Sequence, residues 1–159
     1  MKIRSSALGF TLMELILVIV LLSILSLFAA SRFMGSSSFS AYTLQERVIS
    51  VIRQVQVNRM QSNVASPDNN FCLQVSSSCV GSVAACALTG STQDARSDVV
   101  IDKSAKFSVI SGAANTINFN LLGNPVSGAV NILIEDKHGR SRCQVEINSQ
   151  GYVSKGACS

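Results

Sequence analysis

Residues 9–30 read GFTLMELILVIVLLSILSLFAA, and this stretch decides the predicted architecture. The run from Phe10 to Ala30 is apolar except for four polar residues, Thr11, Glu14, Ser23 and Ser26. Twenty-one helical residues extend about 31 Å at ~1.5 Å each, close to the hydrocarbon thickness of a bilayer. We therefore predict a helix of membrane-spanning length at residues 10–30.

A short basic segment, MKIRSSALG at residues 1–9, precedes the apolar run. Its two cations, Lys2 and Arg4, predict a cytoplasmic N-terminal end and place everything after Arg32 on the other side. The five cysteines all follow the apolar run, which is typical of an oxidising compartment. We expect a chain that crosses the membrane once.

The length of the chain limits the number of its hydrophobic cores, and its net charge limits the kinds of partner it can bind. With 159 residues the chain can form one globular core and an appendage, but not two cores. The net charge of +4 falls to +2 without Lys2 and Arg4, because 11 basic residues then face 9 acidic ones. That balance is too weak to indicate a nucleic-acid partner.

A second helical pattern follows residues 31–40, SRFMGSSSFS, where Gly35 lowers helix propensity by ~1 kcal/mol and the serines lower it further. Apolar residues then recur with i, i+3, i+4 spacing, at Leu44, Val48, Val51, Ile52 and Val55. This spacing predicts an amphipathic helix at residues 31–65 with one apolar stripe. We expect it to continue the first helix and to pack that stripe on a domain, whether or not the helix is kinked near residues 31–38.

Beyond Pro67 the apolar residues alternate with polar ones, which is typical of β-strands. Candidate strands are residues 71–75, 99–102, 106–110, 116–121, 129–135 and 143–147, with a short last strand at Tyr152. Residues 136–139 supply turn chemistry for a hairpin, and residues 76–96 predict a loop constrained by disulfides. We expect residues 66–159 to form a small antiparallel β-sheet. The expected fold class is α+β, with a long N-terminal helix, transmembrane in its first half and amphipathic in its second, packed on that sheet.

The cysteine spacing predicts a disulfide framework. Cys143 and Cys158 bracket a predicted turn, and a bond between them would close a loop of about 16 residues and stabilise the domain by about 3 kcal/mol. Among Cys72, Cys79 and Cys86 we expect one pair and one free thiol, with Cys72 and Cys86 as the provisional pair. No C-x-x-C motif accompanies them, so neither a metal nor another cofactor is predicted.

The sequence shows no catalytic constellation. The sole histidine, His138, stands two residues after Asp136 in a predicted turn, where solvation explains both side chains. Asp94, Asp98 and Asp102 are spaced by four around an apolar run, which leaves calcium binding as a minor alternative. We predict that the protein is not an enzyme.

Residues 9–15, GFTLMEL, resemble the class III signal of type IV prepilins and pseudopilins, in register with the basic leader and the apolar continuation. The resemblance implies that prepilin peptidase cleaves after Gly9 and that Phe10 is then N-methylated. It also implies that Glu14, the fifth mature residue, sets the register of filament assembly by pairing with the Phe10 ammonium of a neighbouring subunit. Many members carry proline where Ser31 stands here. A conventional secretory signal cut near Ser31 is the alternative interpretation.

Two further resemblances concern the subtype. Phe119, Gly123, Gly151 and Val153 fall where the H-type minor pseudopilins of type II secretion have a strand, a glycine and a closing G-x-V. The segments AASRF and LQERVISVIRQVQ resemble minor pilins of mannose-sensitive haemagglutinin (MSHA) pili. These resemblances imply a minor pilin or pseudopilin that joins or initiates an MSHA-like type IV pilus. The alternatives are a type II secretion pseudopilin, or a binding module at a filament tip for DNA uptake or adhesion.

The resemblance also implies partners and a location. The partners would be other pilin subunits, reached through the N-terminal helix, the prepilin peptidase and methyltransferase, and the inner membrane before assembly. The location would be the bacterial inner membrane, with the C-terminal domain in the periplasm, followed by a pilus or a periplasmic pseudopilus.

Overall fold

The computed structural model describes residues 11–34, 40–112, 114–139 and 141–159, with the side chains of residues 27–34 and 40 left out. The chain divides between Ser36 and Ser37 into two compact units. Gly9 and Phe10, where cleavage and methylation are expected, lie outside the described residues. Glu14 and the cysteines lie within them.

Helix α1 spans Leu12–Met34 and begins directly after Thr11. The hydroxyl of Thr11 accepts a hydrogen bond from the backbone N–H of Glu14 at 3.3 Å. This contact satisfies one of the free donors at the start of a helix, and the Glu14 carboxylate is favoured there by the helix dipole. Thr11 and Glu14, two of the four polar residues of the apolar run, therefore lie where they stabilise the start of the helix.

The expected transmembrane segment at residues 10–30 is corrected by the structure. No helix within the described residues combines the length and the apolarity needed to cross a membrane. The expected single-pass placement in the bacterial inner membrane, with a periplasmic C-terminal domain, is wrong on this finding.

Helix α2 spans Ser40–Gln61 and carries the apolar stripe predicted for the amphipathic region. The stripe is buried at Leu44, Val48, Ile49, Val51, Ile52 and Val55. After the helix, the N–H of Ser62 donates to the carbonyl of Arg59 at 3.1 Å, and the sequence reaches Pro67 five residues later. Full burial of a valine or isoleucine side chain stabilises a fold by about 1.5–3 kcal/mol, so this stripe holds α2 against the strands.

Eight strands occur in the described part of the chain and form two antiparallel sheets. Sheet A contains β1 (Cys72–Val75), β2 (Cys79–Ser82), β3 (Val99–Ile101) and β5 (Thr116–Asn118), in the order β3-β2-β1-β5. Sheet B contains β4 (Ala105–Ser111), β6 (Val130–Asp136), β7 (Arg142–Ile147) and β8 (Val153–Cys158), in the order β4-β6-β7-β8. Two one-turn helices, α3 (Val83–Cys86) and α4 (Ser91–Asp94), lie between β2 and β3.

The expected fold class is wrong. The described residues contain two separate long helices, α1 ending at Met34 and α2 beginning at Ser40, and the two belong to different compact units. The expected single small sheet is replaced by two four-stranded sheets, so the described chain after α2 is mostly β-structure. A long N-terminal helix packed on one sheet is therefore not the observed architecture.

One hydrophobic core joins α2 to both sheets. Its largest fully buried side chains come from the helix, from sheet A and from sheet B, including Ile52, Leu73, Ile117, Phe119, Ile132, Ile134 and Ile147. Strand β6 alternates buried and half-buried residues along its seven positions, as its sequence predicts. Helix α2 is therefore the central element on which both sheets are assembled.

The loop expected at residues 76–96 contains β2, α3 and α4 instead. Its sequence, rich in serine, alanine and glycine, lacks the apolar alternation that predicts a strand. Gly81 shows why a small residue suits β2: a Cβ atom there would lie 2.6 Å from the carbonyl oxygen of Asp98. The missing side chain lets β2 approach β3 closely, and this depends on contacts that are distant in sequence.

Candidate functional site

The candidate site is the apolar surface of α1 together with Glu14. Among residues 11–26, Glu14 is the one charged side chain, and it is exposed in the first turn of the helix. Twelve large apolar side chains between Leu12 and Leu25 are 43–77% exposed. The residue predicted to set the assembly register therefore stands at one end of an accessible apolar surface.

This apolar surface covers every direction around the helix axis. Seven consecutive residues, Ile16 to Leu22, are all exposed, and at 100° per residue they point around almost two full turns. A helix with no polar side is normally covered by other apolar surface. Each Å² removed from water would stabilise the covered state by roughly 25 cal/mol. The surface of α1 is thus suited to packing against partners on several sides.

Ser23 and Ser26, the two serines among the described side chains of α1, do not interrupt this surface with free polar groups. The hydroxyl of Ser23 donates to the carbonyl of Ile19 at 2.7 Å, and that of Ser26 donates to the carbonyl of Ser23 at 2.8 Å. Both donors are satisfied within their own helix, so they need no water when a partner covers them. Glu14 is the polar group in this stretch that a covering partner would have to match.

The disulfide expected between Cys143 and Cys158 is present. The two residues lie opposite each other on β7 and β8, with their Cα atoms 4.1 Å apart. Cys143 is buried in the core, while Cys158 packs against its edge. The bond ties the last strand to the centre of sheet B.

The provisional Cys72–Cys86 pair is wrong, because Cys86 is bonded to Cys79 with a Cα separation of 6.0 Å. Helix α3 follows β2 directly and is capped by Ser82, whose hydroxyl accepts from the N–H of Ala85 at 3.1 Å. That tight turn brings Cys86 back to Cys79 at the start of β2. Cys72 is the buried free thiol on β1.

Electrostatic interactions distinguish Cys72 from an activated cysteine. Burial raises the pKa of the Cys72 thiol, the nearby charge of Asp68 raises it further, and Arg59 opposes both. A raised pKa leaves little thiolate near neutral pH, and thiolate is the form that acts as a nucleophile or metal ligand.

Asp94, Asp98 and Asp102, for which calcium binding was the minor alternative, each have different surroundings. Asp98 is buried and paired with Arg96, with Nη2 2.7 Å from Oδ2, and a hydrogen bond from Arg96 lowers the Asp98 pKa. Asp102 accepts from the N–H of Ser104 at 2.7 Å, and Asp94 is exposed on α4. In the part of the chain that the structure describes, no group of three or more histidine, cysteine or acidic side chains could hold a metal ion.

His138 and Asp136 do not form the paired arrangement that an acid/base site needs. The Asp136 side chain is buried, whereas His138 is exposed in the turn between β6 and β7. The turn itself is closed by the N–H of Gly139, which donates to the carbonyl of Asp136 at 2.8 Å.

The sequence did not reveal a second exposed apolar group, which we call the turn patch. It consists of five residues that are 46–74% exposed: Val57, Met60, Leu121, Leu122 and Tyr152. They come from the end of α2, the turn after β5 and the turn before β8. Periodicity could not identify this group, because it depends on how the two turns are held on α2.

Gln56 holds the two turns together. Its amide nitrogen donates to the carbonyl of Gly123 at 2.9 Å and to the carbonyl of Gly151 at 2.8 Å. A Cβ atom placed on Gly123 would lie 3.0 Å from the sulfur of Met60, so this turn rests directly on the last turns of α2. Both turns are therefore fixed beside the exposed Val57 and Met60.

No family model matches this chain, and it matches no curated protein and no solved structure.

Proposed function

We propose that this chain is a structural subunit of the type IV pilin class that assembles with other subunits through α1. In this proposal prepilin peptidase cleaves after Gly9, Phe10 becomes the methylated N-terminus, and the mature chain acts as a minor pilin or pseudopilin without catalytic activity. The resemblance of residues 9–15 to the class III signal supports the processing. The MSHA-like segments described above favour a pilus over a secretion pseudopilus.

The observation that carries the proposal is the all-round exposed apolar surface of α1. A helix that exposes twelve large apolar side chains is unfavourable in water unless other apolar surface covers it. The α1 helices of neighbouring subunits provide such cover, because each α1 covers its neighbours and is covered by them. Exposure on every side supports a bundle of several helices rather than a single pair.

Glu14 supports an ordered assembly rather than a nonspecific one. Apolar contacts along α1 add affinity but tolerate sliding, whereas a carboxylate in a water-poor bundle must meet a cation. In the mature chain the Phe10 ammonium stands one helical turn before Glu14 in sequence. A neighbour shifted by about one turn could pair its ammonium with this carboxylate, and a neighbour in another register would leave both charges unpaired.

The disulfide-bonded domain supports the role of a durable subunit. Cys143–Cys158 and Cys79–Cys86 constrain one sheet each. Disulfides of this kind persist in oxidising environments and are rare where thiols are kept reduced. Both bonds therefore suit a protein that is exported before it assembles.

The first test is the N-terminus of the mature protein. Intact mass and N-terminal sequencing under non-reducing conditions, on protein from the cells that make it, should give a chain that starts at methylated Phe10. The same mass should be four hydrogens below that of the fully reduced chain, because two disulfides are present. A start at Ser31 or Arg32 would contradict the proposal, since α1 would then be lost.

The second test separates processing from assembly. Glu14→Ala should leave cleavage after Gly9 intact and lower incorporation into filaments by about tenfold or more, because a neighbour's ammonium is left unpaired in a dry bundle. Ser23→Ala is the matched control, since the Ser23 hydroxyl is satisfied within its own helix. Normal incorporation of Glu14→Ala would refute the register role.

A further inference from the structure

The turn patch (Val57, Met60, Leu121, Leu122 and Tyr152) is a built surface rather than a scatter of exposed side chains. Besides the Gln56 link, each turn is closed by an asparagine. The Asn120 side-chain oxygen accepts from the N–H of Leu122 at 2.9 Å, and that of Asn148 accepts from the N–H of Tyr152 at 2.8 Å. Leu121, Leu122 and Tyr152 thus project from hydrogen-bonded turns, and Val57 and Met60 project from a helix, which lowers the entropy cost of binding a partner.

Three residues of the turn patch, Leu121, Leu122 and Tyr152, lie in segments that have no charge, and Val57 and Met60 lie on α2 beside the buried Arg59. Residues 116–134 contain no charged residue, and neither do residues 147–154. Depletion of charge with enrichment of tyrosine and methionine is the composition of an interface core. A partner for this surface should therefore be apolar and free of charge over a comparable length.

One such partner is present in the chain itself. Residues 15–26 of α1 carry no charge, and their large apolar side chains are all exposed. We propose that the turn patch of one copy docks α1 of a second copy. This inference rests on the proposed assembly function and names the surface on the globular unit that receives the helix.

This pairing has a consequence for the form of the assembly. The two surfaces differ, so a copy whose turn patch is occupied would still present a free α1, and a copy whose α1 is docked would still present a free turn patch. A contact between unlike surfaces gives either a closed ring or an open-ended filament, whereas a self-complementary patch would stop at a dimer. We therefore expect assemblies that contain more than two copies of the protein, in place of a single dimer species.

Leu122 is the residue to change, because it is the most exposed member of the patch at 74% and lies in a turn with no role in the core. Leu122→Asp in the mature chain that starts at Phe10 should reduce assembled material about tenfold in sedimentation after dilution from a mild detergent. Leu88→Asp is the matched control: it places the same charge at another exposed leucine, outside the patch, and should assemble like wild type. Circular dichroism and retained disulfides would verify that both variants are folded.

A photo-cross-linking amino acid at position 122 identifies the occupant. In a mixture of isotopically heavy and light mature chains, the inference expects cross-links between copies, to a peptide within residues 11–26. Links to another region, to the same copy, or to a different protein would overturn it. Wild-type assembly with an unaffected Leu122→Asp would overturn the turn-patch contact alone, whereas failure of the wild-type chain to assemble would overturn the proposed function as well.

Discussion

The Nε atom of Arg59 donates a hydrogen bond to the backbone carbonyl of Phe119 at 3.1 Å, which ties the last turn of α2 to the chain leaving β5. The same guanidinium donates to Ser62 Oγ and to the Val64 carbonyl, both at 2.9 Å, and to the Ala65 carbonyl at 3.3 Å. Arg59 is 3% exposed, so this cation is buried among oxygen acceptors. A cation in the last helical turn is also favoured by the helix dipole.

Replacing Arg59 should therefore destabilise the domain strongly. Arg59→Met keeps much of the packing volume but leaves four acceptors without their donor, and we expect a loss of about 3 kcal/mol in the free energy of unfolding. Arg53→Met is the control, because Arg53 is exposed and donates to one carbonyl, that of Val153. It should cost less than about 1 kcal/mol. Urea unfolding at pH 7 measures both, and equal losses would contradict the structural role of Arg59.

The two disulfides should differ in how much they stabilise. Removing Cys143–Cys158 with a pair of alanine substitutions opens the longer loop and should cost about 3 kcal/mol by the chain-entropy estimate. The shorter Cys79–Cys86 loop should contribute about 2.5 kcal/mol on the same estimate. Guanidinium unfolding of each double variant under non-reducing conditions gives the comparison. A larger loss for the Cys79–Cys86 variant would show that local strain or packing outweighs loop length.

Local patterns predicted part of this fold. The i, i+3, i+4 stripe from Leu44 to Val55 is the buried face of α2, and the alternation in β6 is the observed alternation of burial. The pairing of Cys143 with Cys158 followed from a turn between two strands. Each of these features depends on residues that are close in sequence.

The other features of the fold depend on contacts between residues that are far apart in the sequence. Strand β2 forms because Gly81 permits close approach to β3, and the pairing of Cys86 depends on the one-turn helix α3. At the candidate site, Glu14 and the apolar run were readable from sequence spacing. The turn patch could not be predicted from the sequence, because it depends on Gln56. The Gln56 amide binds the carbonyls of Gly123 and Gly151, which are 28 positions apart in the sequence.

The Arg96–Asp98 pair predicts a pH-dependent stability. The Asp98 pKa is lowered in the folded chain, chiefly by the hydrogen bond from Arg96. Its stabilisation is therefore present above the unfolded pKa of about 3.9 and is lost as the pH falls through the lower folded value. Asp98→Asn should cost about 1–2 kcal/mol at pH 7, with a discount for the part-exposed arginine, and progressively less below about pH 4.

The control for Asp98→Asn is Asp94→Asn, which removes the same charge from an exposed position on α4. Urea unfolding of both variants and wild type between pH 7 and pH 2 should give curves that converge for Asp98→Asn at low pH. A loss that is independent of pH would assign the effect of Asp98→Asn to packing rather than to the ion pair.

Cys72 should resist alkylation while the domain is folded. It is buried, and burial with the nearby Asp68 raises its pKa, so both access and thiolate concentration are low. We expect iodoacetamide at pH 8 to label the native chain at least about tenfold more slowly than the chain unfolded in urea. Mass spectrometry should find one label on unfolding, at Cys72, and none in a Cys72→Ser variant. Labelling of Cys79 or Cys86 would contradict the observed pairing.

Gly151 offers a test of the close contact between the two turns. A Cβ atom at Gly151 would clash with the carbonyl oxygen of Gly123, and the residue has a φ of +82°. Gly128 is the matched control, because its φ is +87° and a Cβ there meets no atom within 4 Å. Left-handed backbone alone costs an alanine about 1–2 kcal/mol, so Gly128→Ala should lose about that much. Gly151→Ala should lose at least about 1 kcal/mol more, because the two turns must separate. Thermal unfolding of the two variants measures the difference, and equal losses would mean that the turns can move apart freely.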